Sequence, residues 1–369
     1  MSKLEDIGSL MSAEERAVFS LRALYNRHGY TRYRVNHFEE YDLYVRNKDF
    51  LVSDSVITFT DTNGKLLALK PDVTLSIVRN TRDEATVTKM HYNESVFRVA
   101  HRSGSFEEIM QAGLECIGNI GLYETCEVLL LAAKSLEAIG SGRFMLDISH
   151  MGLLNALFSA CEASGEVKER LMDNLNRKHH GEIARLCDEE GLSAAWRDRL
   201  LLLVETYGGY PVALQRMKEA FTDDAYAEAL NEMEAVCRAL DEAGYRDSVS
   251  VDFSVVNNAK YYNGIVFRGY LEGIPTGVLS GGRYDPLMRR MGRKSGGIGF
   301  AVSLDMLEER AAQPVDADIL LLYDEKDDPA RVFQTAERLS CEGSVFAAKA
   351  QPSGRTYGRT AYMDREAAT

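Results

Sequence analysis

Arg98 sits in Val96-Phe97-Arg98-Val99, and thirteen residues later Gln111 opens Gln111-Ala112-Gly113-Leu114-Glu115. Both segments are β-prone, and residues four apart on a strand point to the same side, so Gln111 and Glu115 share a face. An arginine, an amide and a carboxylate buried on neighbouring strands need partners. Two arrangements supply them: a polar ligand bound among the three, or an internal Arg98–Glu115 ion pair. A second group, Leu69-Lys70-Pro71-Asp72-Val73-Thr74, joins a strand to a helix, and Asp72 stands where its side chain caps that helix. A third combines Lys260-Tyr261-Tyr262-Asn263-Gly264 with Ser280-Gly281-Gly282-Arg283-Tyr284-Asp285. Its glycines either let backbone approach a ligand or serve tight turns. Metal chemistry has no such support, since His179-His180 belongs to no H-x-x-x-H or H-E-x-x-H pattern. The 6 cysteines form no C-x-x-C pair, which fits reduced thiols in a cytoplasmic protein.

These residues need elements to hold them. Ser12-Ala13-Glu14-Glu15 has capping-box spacing, and Ala17, Leu21, Leu24 and Tyr25 follow on a helical period, so a helix is expected over 13–28, stopped at Gly29. Residues 56–60, a turn at Asp61-Thr62-Asn63-Gly64, and residues 65–69 form a hairpin pattern. Strands are expected at 95–102 and 107–118, then a helix over 122–139. From about 152 to 245 the pattern is helical, broken at Gly191 and at Gly208-Gly209-Tyr210-Pro211, and reads as an all-α insertion. Strands return at 247–253, 261–270 and 275–279. The expected division is a domain of residues 1–312 carrying that insertion, then a short α/β segment at 315–369 with strands at 318–323 and 344–350 around a helix at 329–340.

Composition narrows the function classes. The chain has 369 residues, 45% hydrophobic and 27% charged, which excludes disordered, collagenous and disulfide-scaffold proteins. A formal charge of −13 argues against a broad basic face for nucleic acid. The opening MSKLEDIGSLMSAEERAVF lacks the apolar run of a signal peptide. Apolar clusters such as Leu200 to Val204 fall well short of the roughly 18 to 20 residues of a membrane helix, so no membrane role is expected.

Taken in order, Leu69-Lys70-Pro71-Asp72-Val73-Thr74, Phe97-Arg98 with Gln111 to Glu115, Tyr261-Tyr262-Asn263-Gly264-Ile265-Val266-Phe267, Gly281-Gly282-Arg283-Tyr284-Asp285 and Gly299-Phe300-Ala301-Val302-Ser303-Leu304 resemble the histidyl-tRNA synthetase family. The resemblance spans residues 1–312. It implies an α+β class II synthetase-like fold, an antiparallel sheet flanked by helices, in a homodimer. It also implies site roles. Asp72, where the family has Glu, with Thr74 and Gln111 would face an α-amino group; Glu115 and Tyr262, beside Tyr261, would face an imidazole; Arg98 would lie near the carboxylate. A carboxylate such as Glu115 accepts a ring N–H and favours the charged ring.

Other positions depart from that family. Its Arg-Gly-Leu-Asp-Tyr-Tyr pattern is replaced by Asn257-Asn258-Ala259-Lys260-Tyr261-Tyr262, and Met306 stands for the arginine that sits against ATP. Methionine cannot bind phosphate or stack as a guanidinium does. An Arg-Tyr-Arg pattern becomes Gly104-Ser105-Phe106-Glu107-Glu108, where a glutamate repels triphosphate by a few kcal/mol if poorly solvated. Adenylation needs cations on its developing charge, so three such losses oppose it. Asn36 also replaces the proline of motif 1, and the last 55 residues resemble a cut-down anticodon-binding segment.

An imidazole reader without the adenylating cations is similar to the regulatory-subunit family of ATP phosphoribosyltransferase, a synthetase paralogue. Leu146-Asp147-Ile148-Ser149-His150-Met151-Gly152 looks like that family's Leu-Asp-x-x-His-x-Gly segment. This resemblance implies a protein with no catalytic residues, cofactor or metal, which regulates the first step of histidine biosynthesis. It further implies the short-form catalytic subunit as partner in a hetero-octamer, L-histidine as effector at Asp72, Thr74, Arg98, Gln111, Glu115, Tyr261 and Tyr262, and no tRNA. The alternatives are a divergent histidyl-tRNA synthetase and a synthetase-like amino-acid ligase, both of which require adenylation.

Overall fold

Alternation along the longest strands separates the two faces of the fold. In Gln111-Ala112-Gly113-Leu114-Glu115-Cys116, Ala112, Leu114 and Cys116 enter the main apolar core, whereas Gln111 and Glu115 point to the opposite face. The computed structural model describes residues 11–51, 55–83, 86–100, 104–140, 142–161, 163–255, 261–308 and 316–363. It divides into two units, residues 1–310 and 311–369.

The strands of the first unit are β1 (Thr31–Arg32), β2 (Phe38–Glu40), β3 (Thr58–Thr60), β4 (Leu66–Leu69), β5 (Thr88–Val99), β6 (Phe106–Gly118), β7 (Phe144–His150), β8 (Tyr207–Gly209), β9 (Val249–Asp252), β10 (Ile265–Leu271), β11 (Leu279–Arg283) and β12 (Gly296–Ser303). A 9-stranded sheet has the order β1-β5-β6-β12-β11-β10-β7-β9-β8, antiparallel from β5 through β7. Strands β2, β4 and β3 form a smaller antiparallel sheet. The expected hairpin is thus β3–β4, with a third strand beside it.

The helices Ala13–Arg27 and Leu122–Ile139 pack on the core face through Leu21, Tyr25, Val128, Leu129 and Leu136. The first starts at a capping box in which Ser12 Oγ accepts the Glu15 N–H at 3.0 Å and Glu15 accepts the Ser12 N–H at 2.9 Å. Both helices lie where the apolar period places them. The inserted segment carries helices Met151–Ser159, Gly165–Asn176, His180–Glu189, Ala194–Glu205, Tyr210–Ala220 and Asp224–Glu242. It is not all-α, because β8 pairs antiparallel with β9 and extends the main sheet. Three residues containing two glycines carry too little alternation to register as a strand.

Two further corrections concern the sheet itself. Strand β5 begins at Thr88, well before the expected residue 95, and residues 101–103 at the hairpin tip lie outside the described residues. Of the two roles left open for Gly281-Gly282, close approach or a tight turn, the turn does not apply, because both are residues of β11, and Gly296-Gly297 likewise opens β12. The strand expected at 275–279 therefore starts only at Leu279.

In the second unit, β13 (Ala317–Leu322) is flanked by β14 (Val345–Ala348) and β15 (Tyr357–Tyr362), all parallel, with the Pro329–Ser340 helix packing Val332 and Leu339 against Ile319 and Leu321. Strand β15 had no counterpart in the sequence pattern. Its exposed, Gly- and Arg-containing run Tyr357-Gly358-Arg359-Thr360 gives little apolar signal.

Candidate functional site

Asp72, Thr74, Arg98, Gln111, Glu115, Tyr261 and Tyr262 all line one cavity of 540 Å³ on the sheet face opposite the main core. Three elements bring them together: the β5–β6 pair, the β4-to-helix connection, and the tyrosines entering β10. That connection is fastened to the sheet by Lys70, whose N–H donates to His37 O at 2.9 Å and whose O accepts the Phe97 N–H at 2.9 Å. The buried Lys70 ammonium contacts Glu94 at 2.7 Å, which fixes the next residues, Pro71 and Asp72, over β5.

Glu115 is buried at the cavity wall with two neutral donors. Thr74 Oγ1 donates to Oε1 at 2.7 Å and Tyr284 OH to Oε2 at 2.6 Å. Burial pushes the Glu115 carboxyl up to about 8, against those two hydrogen bonds, and nearby Asp72 raises it further. Asp72 accepts the Leu75 N–H at 2.9 Å, so its carboxylate serves the Thr74–Asn80 helix as expected, although backbone geometry places Val73 at the cap position. Burial raises Asp72 as well, opposed by its backbone hydrogen bonds and by Arg98. The cavity therefore holds two acidic groups whose ionisation lacks full compensation from the protein.

The internal Arg98–Glu115 ion pair does not form. In the β5–β6 register Arg98 lies opposite Glu107 and Glu115 opposite Met90, eight residues apart along the ladder. Arg98 Nε instead donates to Pro71 O at 3.2 Å, with Asp72 and Asp305 acting on its charge.

The glycines explain how these groups fit. A Cβ at Gly299 would overlap the Glu115 carboxylate, and one at Gly282 would come within 2.7 Å of the Tyr262 ring. At Gly297 it would enter the Tyr284 ring. Tyr261 packs edge-on to Tyr262 with centroids 4.7 Å apart and lies 5.9 Å from Tyr284. Tyr92, Arg268, Ser280, Tyr284 and Ser303 also line the cavity and were not singled out as site residues. The available signal for Arg268 was a cation inside the apolar run Ile265-Val266-Phe267-Arg268.

The histidyl-tRNA synthetase family profile matches residues 8–307. An ATP phosphoribosyltransferase regulatory subunit from Desulfitobacterium hafniense is 30% identical over 295 residues, covering 79% of this chain and 76% of that protein. The chain belongs to the ATP phosphoribosyltransferase regulatory subunit family, within the histidyl-tRNA synthetase fold. Among solved structures, the ATP phosphoribosyltransferase regulatory subunit/histidyl-tRNA synthetase from Bacillus halodurans has a TM-score of 0.76 at 24% identity, covering 95% of this chain and 93% of that one. A chain of the ATP phosphoribosyl transferase (HisG:HisZ) complex from Thermotoga maritima has a TM-score of 0.62 at 20% identity, covering 78% and 96%. Both likenesses establish the class II synthetase-like fold.

In this regulatory-subunit family member, Met306 lies on the short Asp305–Glu308 helix, where Thr276 Oγ1 contacts its sulfur at 3.5 Å. Glu107 and Glu108 are exposed at the start of β6, so solvent screens them and the repulsion expected there is small. Asn257 lies outside the described residues. His150, from the Leu-Asp-x-x-His-x-Gly segment, accepts the Gly152 N–H at 3.0 Å through Nδ1 and holds Glu232 of the insertion at 2.7 Å. Among the described residues no cluster of His, Cys, Asp or Glu is placed to hold a metal ion, and no helix is long and apolar enough to cross a membrane.

Proposed function

We propose that this chain acts without catalytic residues of its own, binding the short-form catalytic subunit of ATP phosphoribosyltransferase, supporting its activity, and making it sensitive to L-histidine. The proposed assembly is a cytoplasmic hetero-octamer built on homodimers, with no role for tRNA. The name of the Thermotoga maritima complex supports the choice of partner.

The observation that carries the effector assignment is the buried Glu115 carboxyl with the half-buried Asp72 beside it, facing one cavity with hydroxyl and backbone hydrogen-bond donors and with Arg98 acting on Asp72. A ligand bearing an imidazolium and an α-ammonium group supplies the missing cations. Asp72, Thr74 and Gln111 face the ammonium group; Glu115, Tyr261 and Tyr262 face the ring; Arg98 borders the carboxylate. Histidine then regulates by preferring one assembly state, since equal affinity for both shifts nothing.

The decisive assay is phosphoribosyl transfer from phosphoribosyl pyrophosphate to ATP by the cognate catalytic subunit, with and without this chain, across a histidine titration. Stimulation that histidine reverses is the expected outcome, and the Glu115→Ala chain should stimulate without the histidine response. Absence of stimulation by the folded chain overturns the partner assignment. Unchanged inhibition with Glu115→Ala overturns the effector site. Retention of Arg98, Gln111 and the tyrosine pair in the cavity supports a second reading, a divergent synthetase. Histidine-dependent exchange of pyrophosphate into ATP by the purified chain would identify it.

A further inference from the structure

The cavity has a cationic side that the resemblance did not point to. Tyr92, Gly113, Ala301, Ser280, Arg268 and Asp147 lie in one register row across β5, β6, β12, β11, β10 and β7. Directly opposed residues share a face, so Arg268 stands on the Glu115 face with small side chains between them. Strands β6 and β10 are three steps apart, about 14 Å at normal strand spacing. The Arg268 stem narrows that gap. It lies over Gly277, where a Cβ would come within 2.8 Å of Arg268 Cγ and 3.0 Å of Cδ.

The two cavity arginines differ in what they already hold. Arg98 donates to Pro71 O and has Asp72 and Asp305 around it. Arg268 has the Tyr270 ring 5.8 Å away and Asp147 at longer range, but makes no hydrogen bond or ion pair among the described residues. Asp147 is engaged by Ser250. A guanidinium offers five donors in a fork matched to a carboxylate, and among the described residues those of Arg268, at the cavity wall, have no hydrogen-bond acceptor.

Arg98 borders the effector's carboxylate but is already held by Pro71 O, and we infer that Arg268 is the residue that discriminates for that carboxylate, a cation placed on β10 in a chain that has Asn257 where the synthetase family carries an arginine. Glu115 and Asp72 take the cationic groups at one side, Arg268 takes the anion at the other, and the floor of Gly113, Ala301 and Ser280 lets a small zwitterion lie between. This rests on the effector reading above and adds the residue that separates an amino acid from its decarboxylated amine.

Calorimetric titration of the full chain with L-histidine and with histamine tests it, because histamine keeps both cationic groups and lacks the carboxylate. In Arg268→Met, histidine affinity should fall about 10- to 100-fold while histamine stays within about twofold. Arg268→Lys should lie between, retaining charge without the fork, and decides the matter if the Met variant does not fold. Asp147→Asn should leave the histidine-to-histamine ratio unchanged. An unchanged ratio in the Arg268 variants, or equal loss of both ligands, overturns the inference while the effector site stands. Absence of histidine binding to the unmodified chain would remove the effector reading and this inference with it.

Discussion

Two glutamates on adjacent strands of the same sheet face differ in whether the protein itself supplies a counter-charge. Glu94 on β5 receives the fully buried Lys70 ammonium at 2.7 Å and the Val35 N–H at 3.4 Å. Among the described residues Glu115 on β6 receives hydroxyl groups, from Thr74 and Tyr284, with Asp72 as a further acid nearby. Both are buried or nearly so. Burial without a counter-charge leaves a desolvation cost open for a ligand to offset, and for that reason Glu115 rather than Glu94 carries the proposed site.

The largest expected effect breaks the compensated member. Lys70→Met strands Glu94 and should cost about 3–5 kcal/mol in chemical denaturation, much of it recovered by adding Glu94→Gln. Gly299→Ala acts on the other member. Its methyl group competes with the Glu115 carboxylate and the Leu114 carbonyl, costing about 1–3 kcal/mol and abolishing histidine binding by calorimetry.

The pH profile sharpens the contrast. Glu115 is raised to about 8 in the folded chain, so the folded state binds this proton more tightly than the unfolded chain does. Its contribution to stability is fully present below the ordinary glutamate range near 4.3 and is lost as pH rises through about 8. Glu115→Gln should remove that decline and be more stable than the unmodified chain at pH 8.5 by about 1–2 kcal/mol, read from thermal melts. Added histidine should stabilise the unmodified chain most near pH 7, where neutral imidazole and protonated Glu115 together carry the one proton of the bound pair, less at pH 8.5, where that proton must be taken up, and leave Glu115→Gln unaffected. The smallest effect belongs to Tyr284→Phe, which deletes one hydrogen bond to Glu115 and should cost about 1 kcal/mol.

How far the site was legible depends on the kind of interaction involved. The seven proposed residues lie in ordered motifs, and the cavity gathers all of them. Yet spacing left the Arg98–Glu115 ion pair open, and only the β5–β6 register removed it, by setting Arg98 against Glu107. Glycine runs that read equally as turns became strand residues. Glycine preference reports the absence of a side chain, not its reason, and the reason here is the carboxylate and rings packed over β11 and β12. Arg268 and Tyr284 lie in β10 and after β11, and their relation to Glu115 exists only through strand pairing.

Local pattern by itself determined the helices Ala13–Arg27 and Leu122–Ile139, the β3–β4 hairpin and the faces of Gln111 and Glu115, because caps, turns and periodicity act over a few residues. Tertiary structure alone decided which charges meet. Lys70 reaches Glu94 from 24 residues away, and Tyr284 reaches Glu115 from 169 away. The electrostatics of a buried group depend on what the fold brings within hydrogen-bond distance, so the difference between a paired glutamate and a waiting one is written in the register of the sheet.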